Sequence, residues 1–327
     1  MAMTMLRFNC IQPGLEPNEM QRRYAAMLDM AQILDDLGGG MVSLEEHHGA
    51  PNGWSPSPLI MAGLVFGRTK RIMTTLSALL APLHDPLRLA EDIAVLDLAS
   101  GGRFVVTAGI GYRESEYEAH GKDWKRRGAL QDEAIDTMLK AWTGEPFEYR
   151  GTTVQVTPRP LTQPHPTLML GGSSKVAVRR AARFGLPYLP PANLPELEAY
   201  YYEQCAEFGT QGFCAMPPEH TAMTFVAEDP ERVWRDLGHH FFEEASTYSQ
   251  WQPPGQTSSV HSHATSVEEL RAEGIYEVVA PAELVDRLKD GGPAATCALH
   301  PLVGGMPIDD GWSSLRLYVD EVLPALG

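Results

Sequence analysis

A chain of 327 residues that is 43% hydrophobic can bury a large core, enough for one α/β barrel or two medium domains. Its 26 Lys and Arg stand against 42 Asp and Glu, and the formal charge of −16 repels phosphate backbones and anionic membrane surfaces, so nucleic acid is excluded as the expected partner. Cys10, Cys205, Cys214 and Cys297 lack any Cys-x-x-Cys spacing, which argues against a zinc site or a disulfide scaffold.

Residues 1–8 are too short for a signal peptide, and no apolar run approaches a membrane span, so a reduced, cytoplasmic protein is expected. Residues 6–11 read as a first strand. Over 19–37, Tyr24, Met27, Leu28, Ala31, Leu34 and Leu37 recur at helical spacing until Gly38, Gly39 and Gly40 stop the pattern. Residues 41–44 give a second strand that runs into Glu45-Glu46-His47-His48-Gly49, and a helix follows over 57–67. A third strand covers 72–81, and Pro86 opens a helix carrying Leu87, Leu89, Ala90, Ile93 and Leu96. The fourth strand, 104–108, has the β-branched content of a strand buried on both faces and leads into Gly109-Ile110-Gly111. A polar loop and a helix over 128–142 come next.

Residues 147–157, with Gly151 in the middle, break the rhythm as a small hairpin. A strand over 167–170, the turn Gly171-Gly172-Ser173-Ser174 and a helix over 174–184 restore it, with Arg179, Arg180 and Arg183 placed on a solvated face. Residues 186–189 read as a strand, 196–208 as a helix and 221–227 as the seventh strand, with Pro230 opening a helix to about 248. Over 249–263 the composition turns to Gln, Pro, Ser, Thr and His without periodicity, which predicts a surface loop or lid within an insertion reaching to 274. Short helices over 266–274 and 281–290, an eighth strand over 295–300 and a helix over 311–325 complete the series. Eight strand-helix units predict one domain over 1–327, a closed (β/α)8 TIM barrel with hairpin and loop insertions, in preference to an open doubly wound sheet.

Ligands in such folds collect at the carboxyl ends of the strands. His47 stands there, after the second strand, and imidazole can give or take protons near neutrality, so His47 is the candidate catalytic residue. His48 fits a satisfied loop histidine equally well. No metal site is expected, because Glu45, Glu46 and the two histidines are too close in sequence to supply a ligand set. Gly109 and Gly111 allow the main chain to approach a ligand. Gly172, Ser173 and Ser174 open a helix, where main-chain N–H groups, the dipole and two hydroxyls suit a phosphate; the plainer reading is a capping serine. Ser77 and Ala78, taken alone, read as packing within the third strand.

Glu46-His47-His48, Pro82-Leu83-His84-Asp85-Pro86-Leu87-Arg88-Leu89-Ala90-Glu91-Asp92, Ser100-Gly101-Gly102-Arg103-Phe104 and Gly111-Tyr112-Arg113-Glu114-Ser115-Glu116-Tyr117 together resemble the bacterial luciferase-like flavin-dependent monooxygenases. The likeness runs on to Val322-Leu323-Pro324-Ala325-Leu326. It implies a TIM barrel that binds reduced FMN, with Ser77 and Ala78 joined by a cis peptide behind the flavin ring. Gly109, Gly111 and Tyr112 would lie along the ribityl chain, Gly172, Ser173 and Ser174 on the phosphate, and His47 beside the ring as the proton-handling group. It further implies a separate NAD(P)H:flavin reductase, O2, a small organic substrate in a pocket closed to water, and a homodimer. Ile110 stands where luciferase has a phosphate-binding arginine, so phosphate charge falls to main-chain donors, the two serines or an arginine such as Arg113. Two alternatives stay open: a dehydrogenase or reductase using the deazaflavin coenzyme F-420, and a non-catalytic flavin-binding protein.

Overall fold

Alternation of strand and helix along the chain is present in the computed structural model, which describes residues 3–219, 222–252, 258–292 and 295–327. Its strands are β1 (Met3–Phe8), β2 (Met41–Leu44), β3 (Met73–Leu80), β4 (Phe104–Gly109), β5 (Phe147–Tyr149), β6 (Thr152–Val154), β7 (Thr167–Gly171), β8 (Tyr188–Leu189), β9 (Met223–Val226), β10 (Tyr276–Val279) and β11 (Thr296–Leu299). Its α-helices are α1 (Pro17–Asp36), α2 (Pro58–Arg68), α3 (Pro86–Ser100), α4 (Glu114–Ala119), α5 (Arg127–Trp142), α6 (Lys175–Phe184), α7 (Pro195–Phe208), α8 (Pro230–Trp251), α9 (Val267–Glu273), α10 (Pro281–Asp290), α11 (Ile308–Leu317) and α12 (Leu323–Leu326). Local chemistry sets many of these limits. Pro17, Pro58, Pro86, Pro195, Pro230 and Pro281 open helices at a position where the missing N–H is not needed. Gly101, Gly185, Gly209 and Gly274 close helices in the left-handed conformation.

The chain divides into two units, Met1–Pro56, His220–Pro254 and Ser259–Gly327 against Ser57–Glu219 and Gly255–Ser258. In the first unit β10, β9, β11, β1 and β2 lie side by side in that order, all parallel. Phe225 of β9, Trp234 and Phe241 of α8 and Tyr276 of β10 form an aromatic core there, with ring centroids 5.0 to 5.8 Å apart. In the second unit β3, β4, β7 and β8 are neighbours, again parallel, and β5 and β6 form the expected antiparallel hairpin. Arg103 explains the Gly-Gly-Arg stretch before β4: it donates to the carbonyls of Ser100 (2.6 Å), Ile72 (2.8 Å) and Thr69 (3.2 Å) and lies 5.0 Å over the Phe66 ring. One guanidinium thus ties together the chain leaving α2 and α3 and entering β3 and β4.

The structure departs from the pattern reading in a few places. β10 was not anticipated, because Tyr-Glu-Val-Val is short and shows no alternation of buried and open positions. The polar loop after β4 contains α4. α8 continues to Trp251, so the first three residues of the expected loop at 249–263 are helical. The flanks of that loop are anchored: Gln252 and Ser262 are buried, and Ser262 donates to Glu273 (2.6 Å) while its carbonyl accepts from Ser249 (2.7 Å). Residue 221 of the expected seventh strand and residues 253–257 of the loop lie outside the described residues.

Candidate active site

Register in the second unit gathers three strand ends. β3 and β4 pair Ser77 with Thr107, then Leu79 with Ala108, so Ala78 is the extra residue that β4 does not match. The Ser77–Ala78 peptide is cis, as the family likeness implies. β4 pairs in turn with β7, Ala108 opposite Leu170, which sets Gly109 and Gly171 side by side at their carboxyl ends. Gly109 has a specific reason to be glycine: a Cβ there would stand 2.8 Å from the Ala78 Cβ. Gly111 has φ +73°, beside Leu80 and Tyr117, and the Tyr117 hydroxyl donates to the Ile110 carbonyl. Gly172 has φ +139°, and a Cβ would meet that of Ala177 at 2.7 Å. Gly109, Gly111, Tyr112, Gly172, Ser173 and Ser174 therefore stand at or just beyond the carboxyl ends of β4 and β7, and Ser77 and Ala78 lie in the carboxyl half of the adjacent β3.

Ser174 is the N-cap of α6, its Oγ accepting from the Ala177 N–H at 3.3 Å. That bond uses one acceptor site of the hydroxyl and leaves its proton to donate. The nearby arginines have carboxylate partners of their own. Arg113 is paired with the buried Glu116 at 3.0 Å. Arg179 and Arg183 lie on the solvated face expected of them, paired with Glu207 and Asp132. Arg180 does not: its side chain is only 11% exposed and bonds Asp132 of α5 at 2.6 Å, clamping two helices. A positively charged residue on a pattern of helical surface positions reads as solvated unless the neighbouring helix is known.

His47 lies in the first unit, three residues beyond β2, and is buried. Its main-chain N–H donates to the Ser55 carbonyl at 3.2 Å. Its ring centroid is 4.9 Å from Trp54, 5.9 Å from Tyr248 and 5.1 Å from Trp251, the first two contacts edge-on. Trp54 also meets Tyr248 at 5.6 Å and Trp251 at 5.2 Å. The adjoining His48 pairs with Glu46 at 2.9 Å, the loop role considered for it.

The segments that carry these residues also hold a buried ionic network that the sequence reading missed. Arg7 of β1 donates to Glu45 and, at 2.6 Å, to Glu244 of α8. Glu244 also accepts from Asn9, from the Tyr276 hydroxyl (3.0 Å) and from the Gly304 N–H (3.2 Å), and lies 2.9 Å from His300 Nε2. Burial would raise the Glu244 carboxyl, but the His300 and Arg7 charges and the bonds from His300 and Asn9 outweigh it and hold the group well below the usual carboxylate range. Burial and the facing Glu244 carboxylate push the Tyr276 hydroxyl well up. Glu244, Tyr248 and Trp251 stand at i, i+4 and i+7, one face of α8, and this spacing was the signal in the sequence that could have joined them. Among the described residues, no three His, Cys, Asp or Glu side chains are grouped so as to hold a metal ion.

Comparison with known proteins matches residues 1–297 to the model of the family described as luciferase-like monooxygenase. An uncharacterised protein, y4wF of Sinorhizobium fredii, is 34% identical over 173 residues, 51% of each chain, so the match spans about half the length of that curated relative. The oxygenase component of the flavin-dependent trigonelline monooxygenase of Acinetobacter baylyi is 25% identical over 92% of this chain and 89% of its own. Among solved structures, the monooxygenase RslO1 of Streptomyces bottropensis superposes with a TM-score of 0.74 at 22% identity, over 99% of this chain and all of that one. The oxygenating constituent of 3,6-diketocamphane monooxygenase from Pseudomonas putida, in complex with FMN, gives 0.69 at 20% over 99% and 98%. An F420-dependent secondary alcohol dehydrogenase gives 0.65 at 16% over 100% and 99%. At these identities the structures establish the fold, an α/β fold of parallel strands matching the luciferase-like TIM-barrel monooxygenases.

Proposed function

The chain belongs to the luciferase-like monooxygenase family, and from that premise we propose that it is the oxygenase of a two-component system, using reduced FMN and O2 on a small organic substrate. The observation that supports this most is that three adjacent strands carry Ser77 and Ala78 in the carboxyl half of β3 and Gly109, Gly111, Tyr112, Gly172, Ser173 and Ser174 at or just beyond the ends of β4 and β7. A flavin suits that set. The small Ser77 and Ala78 would back its ring, Gly109, Gly111 and Tyr112 would run along the ribityl chain, and Gly172, Ser173 and Ser174 would hold the phosphate. With Arg113 engaged by Glu116, the phosphate charge falls to main-chain N–H groups, the serine hydroxyls and the dipole of α6. Reduced FMN, when bound, supplies the electrons that activate O2.

His47 handles the proton that oxygen transfer requires, and Trp54, Tyr248 and Trp251 keep water from its imidazole. Reduced flavin comes from a separate NAD(P)H:flavin reductase, as the oxygenase component from Acinetobacter baylyi suggests by its name. We place the protein in the cytoplasm as a homodimer. Four free cysteines are consistent with a reducing compartment, and Ile60 and Leu64 of α2 with Val95 and Leu98 of α3 leave four large apolar side chains in water on two helices of one unit. No helix among the described residues is long and apolar enough to cross a membrane.

The test is to mix the protein with reduced FMN, admit air and follow flavin reoxidation by absorbance. The proposal expects a reoxidation course distinct from that of free flavin and altered in His47→Ala. Reoxidation at the free-flavin rate, with hydride transfer from an alcohol to coenzyme F-420, would establish the deazaflavin alternative instead. Flavin binding with neither activity would leave a carrier protein.

A further inference from the structure

The rings around His47 do more than exclude water, because they bury a polar group that packing alone would avoid. Trp54 is 2% exposed, and its indole Nε1 has no hydrogen-bond partner among the described residues. A buried donor left unmet costs its full desolvation, which a phenylalanine in the same place would not incur. Two residues close to the rings in sequence repeat the pattern. Asn52, whose Nδ2 reaches Thr247 of α8 at 3.5 Å, has its Oδ1 unmet, and Gln252, adjacent to Trp251, has its Nε2 unmet. Native proteins keep such groups where something else supplies the partner.

Resting on the flavin monooxygenase reading, we propose that Trp54, Tyr248 and Trp251 form the substrate-recognition wall beside His47, and that the substrate is a planar aromatic compound bearing a carbonyl or phenolic oxygen that accepts from the Trp54 N–H. Edges and faces of three aromatic rings favour a flat conjugated molecule over a flexible alkyl chain, which gains area burial alone. A quaternary ammonium ion also favours aromatic faces, yet it carries no acceptor and would leave both the Trp54 and Gln252 donors unmet. A site built around an unmet donor discriminates against the isostere that lacks the acceptor.

The ionic network ties together the segments that carry this wall. Arg7 bridges Glu45, two residues before His47, and Glu244, one turn before Tyr248 and two before Trp251. It therefore sets the imidazole and the α8 rings from a single guanidinium. Arg7 and Glu244 are positioning residues and do not touch the substrate.

The test uses the full chain labelled with [15N]tryptophan, whose six tryptophans give six indole N–H resonances, that of Trp54 assigned by its loss in Trp54→Phe. Four probes are titrated: acetophenone, its isostere α-methylstyrene without the carbonyl, decanal and tetramethylammonium. Acetophenone should shift the Trp54 resonance downfield and bind roughly five- to tenfold more tightly than α-methylstyrene, a preference that Trp54→Phe erases. Should Trp54→Phe not fold, Trp251→Leu should weaken acetophenone binding with the Trp54 resonance still present. A Trp54 resonance that acetophenone leaves in place, tighter binding of decanal or tetramethylammonium, or a preference that survives in Trp54→Phe would overturn the proposal. FMN titrated into the same samples separates the two readings: FMN bound without the ketone preference removes the wall alone, and absence of FMN binding removes the flavin reading.

Discussion

Gly109 and Ala78 constrain each other across thirty residues of sequence. The register shift at Ala78 brings its methyl to the place a side chain at 109 would occupy, 2.8 Å away, so the larger residue can stand on one strand only. Gly109→Ala is expected to destabilise the protein by about 1–3 kcal/mol through overpacking and to weaken FMN binding with it. Thermal unfolding and an FMN titration check both, and a variant unchanged in both would show the close approach to be irrelevant. His47 carries a prediction of the opposite kind: His47→Ala should leave FMN affinity within about threefold and lower turnover by roughly 10²–10⁴, the usual worth of a general acid or base. Steady-state rates with excess reductase measure it, and full activity would take His47 out of the chemistry. The glycine pair itself was legible in the sequence as Gly-x-Gly after an apolar strand. Its cause was not, because the atom that excludes a side chain at 109 belongs to a different strand.

Ser174 joins a helix to a candidate phosphate site, and two substitutions separate those roles. Ser174→Ala should cost about 1 kcal/mol by loss of the α6 cap, whereas Ser174→Gly should cost a few tenths. Both remove the hydroxyl, so both should weaken FMN more than riboflavin, which has no phosphate. Equal loss for the two flavins would assign Ser174 to the cap alone. The strand-Gly-Gly-Ser-Ser-helix order was readable because capping is local chemistry, written in consecutive residues. α8 was harder. Its apolar and aromatic positions at 241, 245, 248 and 251 keep helical spacing, but the polar Ser249 and Gln250 between the last two suggested that the helix had ended. β10 escaped because the acidic Glu277 interrupts the apolar residues of Tyr-Glu-Val-Val, which leaves no continuous apolar run to mark a buried strand.

On the scale of the molecule, alternation of strand and helix was legible because a parallel strand must be followed by a crossover helix, and each leaves its own period in the sequence. The ionic network was illegible for an equally general reason. Arg7, Glu45 and Glu244 are far apart in the chain, and a charged residue viewed alone reads as surface. The network makes a prediction about acid stability. The Glu244 carboxyl titrates well below its unfolded value, so the stability it adds is complete above roughly pH 4.3 and is lost as the pH falls further toward the depressed folded value. Glu244→Gln should lower stability at pH 7 by about 3–5 kcal/mol, since it leaves Arg7 and His300 short of a partner, and should flatten the decline in melting temperature below pH 5. Parallel acid declines in the two proteins would deny the carboxylate that role. The central claim concerns the cradle formed by β3, β4 and β7, and anaerobic titration with reduced FMN, riboflavin and coenzyme F-420 tests it most directly. The account predicts saturable binding of reduced FMN, at least about tenfold weaker binding of riboflavin for want of the phosphate contacts, and no comparable affinity for the deazaflavin. Tight binding of coenzyme F-420 with none of FMN would contradict it.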